Sequence, residues 1–211
     1  MEGEKFKIVF IGDSITEEGR FDDPEGIGYG YVRLIRDYLY VTDPGKSTEV
    51  INKGIGGNRI IDLAARWEKD VLALKPDLVS IFIGINDVWR QLDQPDVTQV
   101  FPDEFQCIYE DLIQQVFEKT TARIFLMEPT IHQEDVNSRG NQLLKPYVQT
   151  VRKLGKRFNI PVVPTHKAFL DVLKRGEANL TTDGVHMTSK GDMLIAKTWL
   201  ETYLKRYNST E

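Results

Sequence analysis

Cysteine occurs once in this chain of 211 residues, at position 107, and histidine only three times, at 132, 166 and 186. A single cysteine excludes an intramolecular disulfide and any zinc site built on thiolates. No apolar run approaches the roughly 20 residues that a bilayer crossing takes; the longest nearly apolar stretch is Leu78 to Ile85. Basic residues are outnumbered, 27 Lys and Arg against 32 Asp and Glu, for a net charge of −5. That balance argues against a nucleic-acid partner, which needs a basic face for its phosphates, and against adhesion to an anionic membrane. The opening residues MEGEKFK lack the basic start, apolar stretch and small-residue cleavage site of a secretory signal, so a cytoplasmic location is expected. There is no internal repeat and no low-complexity segment. Hydrophobic residues make up 41% and charged residues 28%, ordinary globular values. The length then favours a single domain spanning 1–211.

What is present is an alternation of two periodicities. Lys7 to Ile11, Glu49 to Asn52, Leu78 to Ile83, Arg123 to Met127 and, more weakly, Pro161 to Val163 read as strands and as continuous apolar runs. Such runs mark strands buried on both faces. Between them, apolar residues recur at three- and four-residue spacing, the mark of helices. One stripe is Ile60, Leu63, Ala64, Trp67, Val71 and Leu74; another is Phe105, Ile108, Leu112 and Val116. A third is Leu144, Tyr147, Val148, Val151 and Leu154, and a fourth runs from Leu194 to Leu204 through Trp199 and Tyr203. Tyr31 to Tyr40 also fits a helix. Cys107 falls inside one stripe and reads as a small packed residue. This succession predicts an α/β protein: a three-layer α/β/α sandwich around a five-stranded parallel, flavodoxin-like sheet of order 2-1-3-4-5. In such sheets the ligand site lies beyond the carboxyl ends of the strands.

Four polar segments fall at those ends or before the last helix. They are Gly12-Asp13-Ser14-Ile15-Thr16, Lys53-Gly54-Ile55-Gly56-Gly57-Asn58, Gly84-Ile85-Asn86-Asp87 and Asp183-Gly184-Val185-His186. Singly, each has a plainer use as a turn or a helix cap. Together they supply the parts of acyl transfer through a serine ester. Ser14 needs a base to take its proton, and His186 is the histidine with an acid, Asp183, three residues upstream in a glycine-containing loop. The oxyanion of a tetrahedral intermediate needs donors fixed in advance; the Ser14 N–H, the Gly57 N–H and the Asn86 amide are the candidates.

These segments resemble the signature blocks of the SGNH, or GDSL, hydrolase family. GDSIT at 12–16, NKGIGGN at 52–58, GIND at 84–87 and DGVH at 183–186 carry the resemblance over nearly the whole chain. GDSITEEGR and SIFIGINDVWRQ further resemble its acetylxylan esterase branch. The resemblance implies Ser14 as nucleophile, Asp183 and His186 completing the triad, and Gly57 and Asn86 in the oxyanion hole. It also implies hydrolysis of esters without a metal or other cofactor. The sequence departs from the family at Ile15, where many members have Leu, and at Gly56, where many have Ser. The expected substrate is a small ester, an acetylated sugar or xylo-oligosaccharide. A lipase-like, lysophospholipase or thioester hydrolase is the alternative. Trp89 and Arg90, directly after the third block, are candidates for a wall and a hydrogen-bonding arm of the substrate site, with Asp13 beside the nucleophile; Tyr29 and Tyr31 are weaker candidates.

Other signals carry less. No serine lies in a Gly-x-Ser-x-Gly elbow. Gly45-Lys46-Ser47 looks like the end of a phosphate loop, but position 40 is Tyr40 instead of glycine. Gly26-Ile27-Gly28-Tyr29-Gly30 has the wrong spacing for a dinucleotide fingerprint and reads as a flexible loop beside the site. His132 and His166 have no ligand-spaced neighbours and are expected on the surface or in loops. A flavodoxin-like binding module is disfavoured, because Asp13, Glu17 and Glu18 would repel a flavin phosphate in the first loop. The aromatic C-terminal stripe fits a homo-oligomer or a packed monomer.

Overall fold

The computed structural model describes residues 5–42, 47–176 and 179–207. The Gly45-Lys46 pair and the first four residues, used above to weigh a phosphate loop and a leader, lie outside them. Five strands form one parallel sheet: β1 Phe6–Gly12, β2 Thr48–Gly54, β3 Leu78–Phe82, β4 Arg123–Met127 and β5 Val162–Val163, in the order β2-β1-β3-β4-β5. This is the predicted topology.

Side chains alternate across the sheet, and the register sorts them. Phe10, Ser80 and Phe125 share one rung and therefore one face. That face meets α2 (Tyr31–Thr42) and α8 (Ser189–Tyr207). Tyr31 stands edge-on to Phe10 and Phe82, and Trp199 lies between Phe10 and Phe125. The Trp199 indole N–H donates to the Ser80 hydroxyl at 3.0 Å, so the one polar side chain in the middle of β3 is paired. The aromatic C-terminal stripe is thus largely spent on the core: Trp199 is fully buried and Tyr203 stacks on it. α7 (Thr165–Lys174) packs beside α8. α3 (Ile60–Asp70), α5 (Pro102–Lys119) and α6 (Arg139–Phe158) pack against one another and form the second helical layer.

Besides the single turn Ser14–Glu17, two helices escape the periodicity. α4 (Ile85–Asp93) begins inside the third sequence block, and α7 carries only a short apolar stripe, Phe169 and Val172. Both are too brief for a helical period to stand out. Cys107 corrects its expectation: it is exposed on α5, because the buried stripe runs through Phe105, Tyr109, Leu112 and Val116, and position 107 faces away. Among the described residues, no helix is long and apolar enough to cross a membrane.

Register also sets the site. Gly12 is paired with Gly54 on one side and Phe82 on the other, so the first three sequence blocks leave the sheet at one level. The chain turns tightly there into α1 (Ser14–Glu17). A Cβ at Gly12 would lie 2.4 Å from the Phe82 carbonyl oxygen, and one at Gly54 would lie 2.1 Å from the Glu17 nitrogen. Glycine at these two positions is what allows α1 to cross directly over the strand ends.

Candidate active site

Ser14 is the first residue of α1. Asp13 caps that helix, its carboxylate accepting from the Ile15 N–H at 3.0 Å. Burial pushes the Asp13 carboxyl up to about 7, against the opposing pull of the Ile15 N–H and the nearby His186. Asp13 is thus sealed inside the protein and engaged with backbone, not presented to a ligand.

The Ser14 hydroxyl lies 2.9 Å from His186 Nε2, across 172 positions of sequence. His186 Nδ1 lies 2.6 Å from Asp183 Oδ2. The other oxygen of Asp183 accepts the N–H groups of Val185 and His186 at 2.9 and 2.8 Å. Partial burial would raise the Asp183 carboxyl, but these three hydrogen bonds and the adjacent imidazole outweigh it and hold the acid below its ordinary range. Gly184 makes the loop possible, with φ +96° and the Gln133 backbone close by. The arrangement is a hydroxyl, an imidazole and a carboxylate in series, in the orientation that lets the imidazole accept the hydroxyl proton.

The second block folds as a tight turn. The Asn58 N–H donates to the Ile55 carbonyl at 3.3 Å. Gly57 has φ +77° while Gly56 does not enter the left-handed region, the pattern of a type II turn that favours glycine at its third position. The Asn86 amide donates to the Asn58 carbonyl at 3.1 Å, which fixes its orientation and leaves its second N–H free of that bond. The Ser14 N–H, in the first turn of α1, has no acceptor within its own helix. A Cβ built at Gly56 would lie 3.9 Å from the Ser14 Cβ, so this turn, to which Asn86 is bonded through Asn58, adjoins the Ser14 side chain. Next to Asn86, Asp87 is fully buried and caps α3, accepting the Ile60 N–H at 3.2 Å; burial pushes its carboxyl up to about 8.

Trp89 and Arg90 both reach this site. The Trp89 ring centroid is 5.8 Å from that of His186 and 5.8 Å from that of His132 on another side. The Arg90 guanidinium lies over the Trp89 ring, pairs with Asp93 at 2.6 Å and extends toward Gly57. Tyr31 corrects its expectation: it is buried, with its hydroxyl 3.0 Å from Thr16 Oγ1, and belongs to the core. Tyr29 is largely exposed.

The other two histidines also differ from expectation. Both are buried, His132 behind Trp89 and His166 in the first turn of α7, where it bonds the Thr130 carbonyl. Burial lowers the pKa of each. His132 lies against Gly140 of α6 and Trp89, and His166 is carried by the unforeseen α7, so spacing alone gave no sign of burial.

Four further residues hold the site and were not singled out from sequence. Asn52 donates to the Thr16 and Ile27 carbonyls and accepts from the Gly54 N–H, joining the first block and the 19–30 loop to β2. Within that loop, Asp23 receives the Ile27 and Gly28 N–H groups and an ion pair from Arg33, so the glycine-rich segment is anchored by a buried carboxylate. Glu134 accepts the N–H groups of Asn179, Leu180 and Thr181 and the Thr181 hydroxyl. Arg66 reaches the first two blocks and is taken up below.

A sequence-family comparison decides the affiliation: the GDSL-like Lipase/Acylhydrolase family matches residues 10–194. The chain belongs to that family. It is 39% identical, over 203 residues and 92% of each chain, to an acetylxylan esterase of Geobacillus stearothermophilus. The crystal structure of an acetylxylan esterase from that organism superposes with a TM-score of 0.85 at 37% identity, covering 95% of this chain and 94% of that one. An alpha/beta hydrolase from the metagenome of Lake Arreo superposes with a TM-score of 0.87 at 33% identity, covering 93% and 94%.

Proposed function

We propose that the protein is a serine esterase that removes acetyl groups from sugar hydroxyls, with acetylated xylo-oligosaccharides as its substrates and the chain of 1–211 working as one domain. The observation that carries this reading is the bonded series from Ser14 through His186 to Asp183. Ser14 Oγ attacks the acetyl carbonyl as His186 Nε2 takes its proton. Asp183 keeps the ring oriented and stabilises its positive charge. The Ser14 and Gly57 N–H groups and the Asn86 amide receive the oxyanion. His186 then protonates the departing sugar oxygen, and a water activated by the same ring releases acetate. Trp89 offers a flat apolar wall beside His186 and Arg90 a cationic arm beside Gly57, a pairing suited to a sugar ring and its hydroxyls. The acetylxylan esterase likeness supports the substrate. Solved structures of that esterase described as catalytic mutants, in which a serine, an aspartate or a histidine is replaced by alanine, support the residue types of the series instead. In a cytoplasmic setting the substrate is an imported oligosaccharide rather than polymer.

The test is hydrolysis of p-nitrophenyl acetate against the octanoate, with Ser14→Ala as control. Acetate should be the better substrate, and Ser14→Ala should lower kcat by about 10⁴-fold or more with the fold intact. Residual turnover within about tenfold of wild type would overturn the nucleophile assignment. A rate that rises toward octanoate would keep the triad and replace the sugar substrate with a lipase-like one.

A further inference from the structure

Arg66 is a half-buried cation tied directly to the first two sequence blocks. It projects from α3 with its side chain 13% exposed. A guanidinium carries five N–H donors in a rigid plane. Here Nη2 donates to the Gly12 carbonyl at 3.0 Å, Nη1 to the Lys53 carbonyl at 2.7 Å and to Asp70 at 3.0 Å, and Nε to the Asn58 side-chain oxygen at 2.8 Å. Asp70 is the ion-pair partner one turn along α3, and the other three acceptors have a place in the site. Gly12 is where β1 ends, one residue before the cap of the helix that carries Ser14. Lys53 lies one residue before β2 ends. Asn58 is the last residue of the type II turn that presents the Gly57 N–H, and its carbonyl orients the Asn86 amide.

We propose that Arg66 is the positioning residue of the oxyanion hole: one planar guanidinium fixes the turn bearing Gly57, the residue that aims Asn86, and the strand end behind Ser14 in a single frame. The inference rests on the esterase reading above. Lysine cannot replace it, because an ammonium is a point donor without the fork needed to meet three divergent acceptors.

The experiment compares wild type with Arg66→Lys and Arg66→Gln on p-nitrophenyl acetate. It also measures inhibition by an alkylboronic acid, whose tetrahedral serine adduct places an oxygen where the oxyanion sits. Displaced donors lose their value steeply, so kcat should fall about 100-fold while KM stays within about threefold. Boronate affinity should fall in step with kcat/KM, a correlation that mere loss of stability would not produce. Asn58→Ala should lower kcat about tenfold, and combining it with Arg66→Lys should cost little beyond Arg66→Lys alone. A folded Arg66→Lys with kcat within about threefold of wild type overturns the proposal, as does a lost kcat with unchanged boronate affinity. If neither Arg66 variant folds, Asn58→Ala decides: unchanged kcat and boronate affinity overturn the inference, and a joint loss supports it. Ser14→Ala separates the two levels. If that variant keeps its activity, the esterase reading falls and the inference with it. If it is inactive while Arg66→Lys is intact, the inference falls alone.

Discussion

Asp183 binds three N–H groups with two oxygens, so its role is set by hydrogen bonding more than by charge alone. Replacing it with asparagine preserves shape but gives one position of the side chain a donor where His186 Nδ1 needs an acceptor. The ring would then take the wrong tautomer for proton removal from Ser14. Asp183→Asn should lower kcat by about 10⁴-fold with KM nearly unchanged, measured on p-nitrophenyl acetate. A drop under about tenfold would mean that orientation of the ring comes from elsewhere, Trp89 being the nearest alternative. At this scale the side chains that the structure joins in series, the Ser14 hydroxyl, the His186 imidazole and the Asp183 carboxylate, were legible in the sequence, because such groups are recognisable by residue type. The residues that hold them were not. Arg66, Asn52 and Glu134 act through backbone carbonyls and N–H groups of distant segments, and no spacing along the chain encodes such a partnership.

The loop from Asn179 to Thr188 is the element on which the proposed mechanism depends most visibly. It carries both Asp183 and His186, contains Gly184 in the left-handed region, and is pinned at its start by the Glu134 carboxylate. Its far end returns through the pairing of Thr181 with Met187. Burial would raise the Glu134 acid, but its four donors hold it below the ordinary range, so it is a charged anchor. Glu134→Gln puts an NH₂ group among those donors. We expect a loss of about 2 kcal/mol and a fall in Tm of about 4–8 °C, read by thermal denaturation. A kcat reduced about tenfold should accompany it, since His186 would no longer be held against Ser14. Elements long enough to show a period, such as α5 and α6, were legible in sequence; α4 and α7 were not, and with α7 went the burial of His166.

At the scale of the molecule, the sheet order followed from the alternation of strands and helices, and the level ends of β1, β2 and β3 explain why separate blocks converge. The same burial that builds the core raises the Glu18 carboxyl and pushes three others further, Asp13 and Asp192 to about 7 and Asp87 to about 8. Burial is the first cause in each, with the Glu18 carboxylate adding to Asp192. Above the ordinary value of 3.8 the unfolded chain has released these protons while the folded chain keeps them. Their contribution to stability is therefore complete below that value and is lost as pH rises toward 8. Tm should be higher at pH 5 than at pH 8. Asp87→Asn, which retains an oxygen for the Ile60 N–H, should narrow that difference; an unchanged difference would show that Asp87 does not keep its proton. The 172 positions between Ser14 and His186 have a consequence for biosynthesis. A ribosome has already delivered Ser14, Gly57, Asn86 and four strands by residue 127, well before it reaches His186. On the proposed mechanism a chain stopped short of His186 is therefore chemically silent, and esterase turnover reports molecules in which these two distant segments have met.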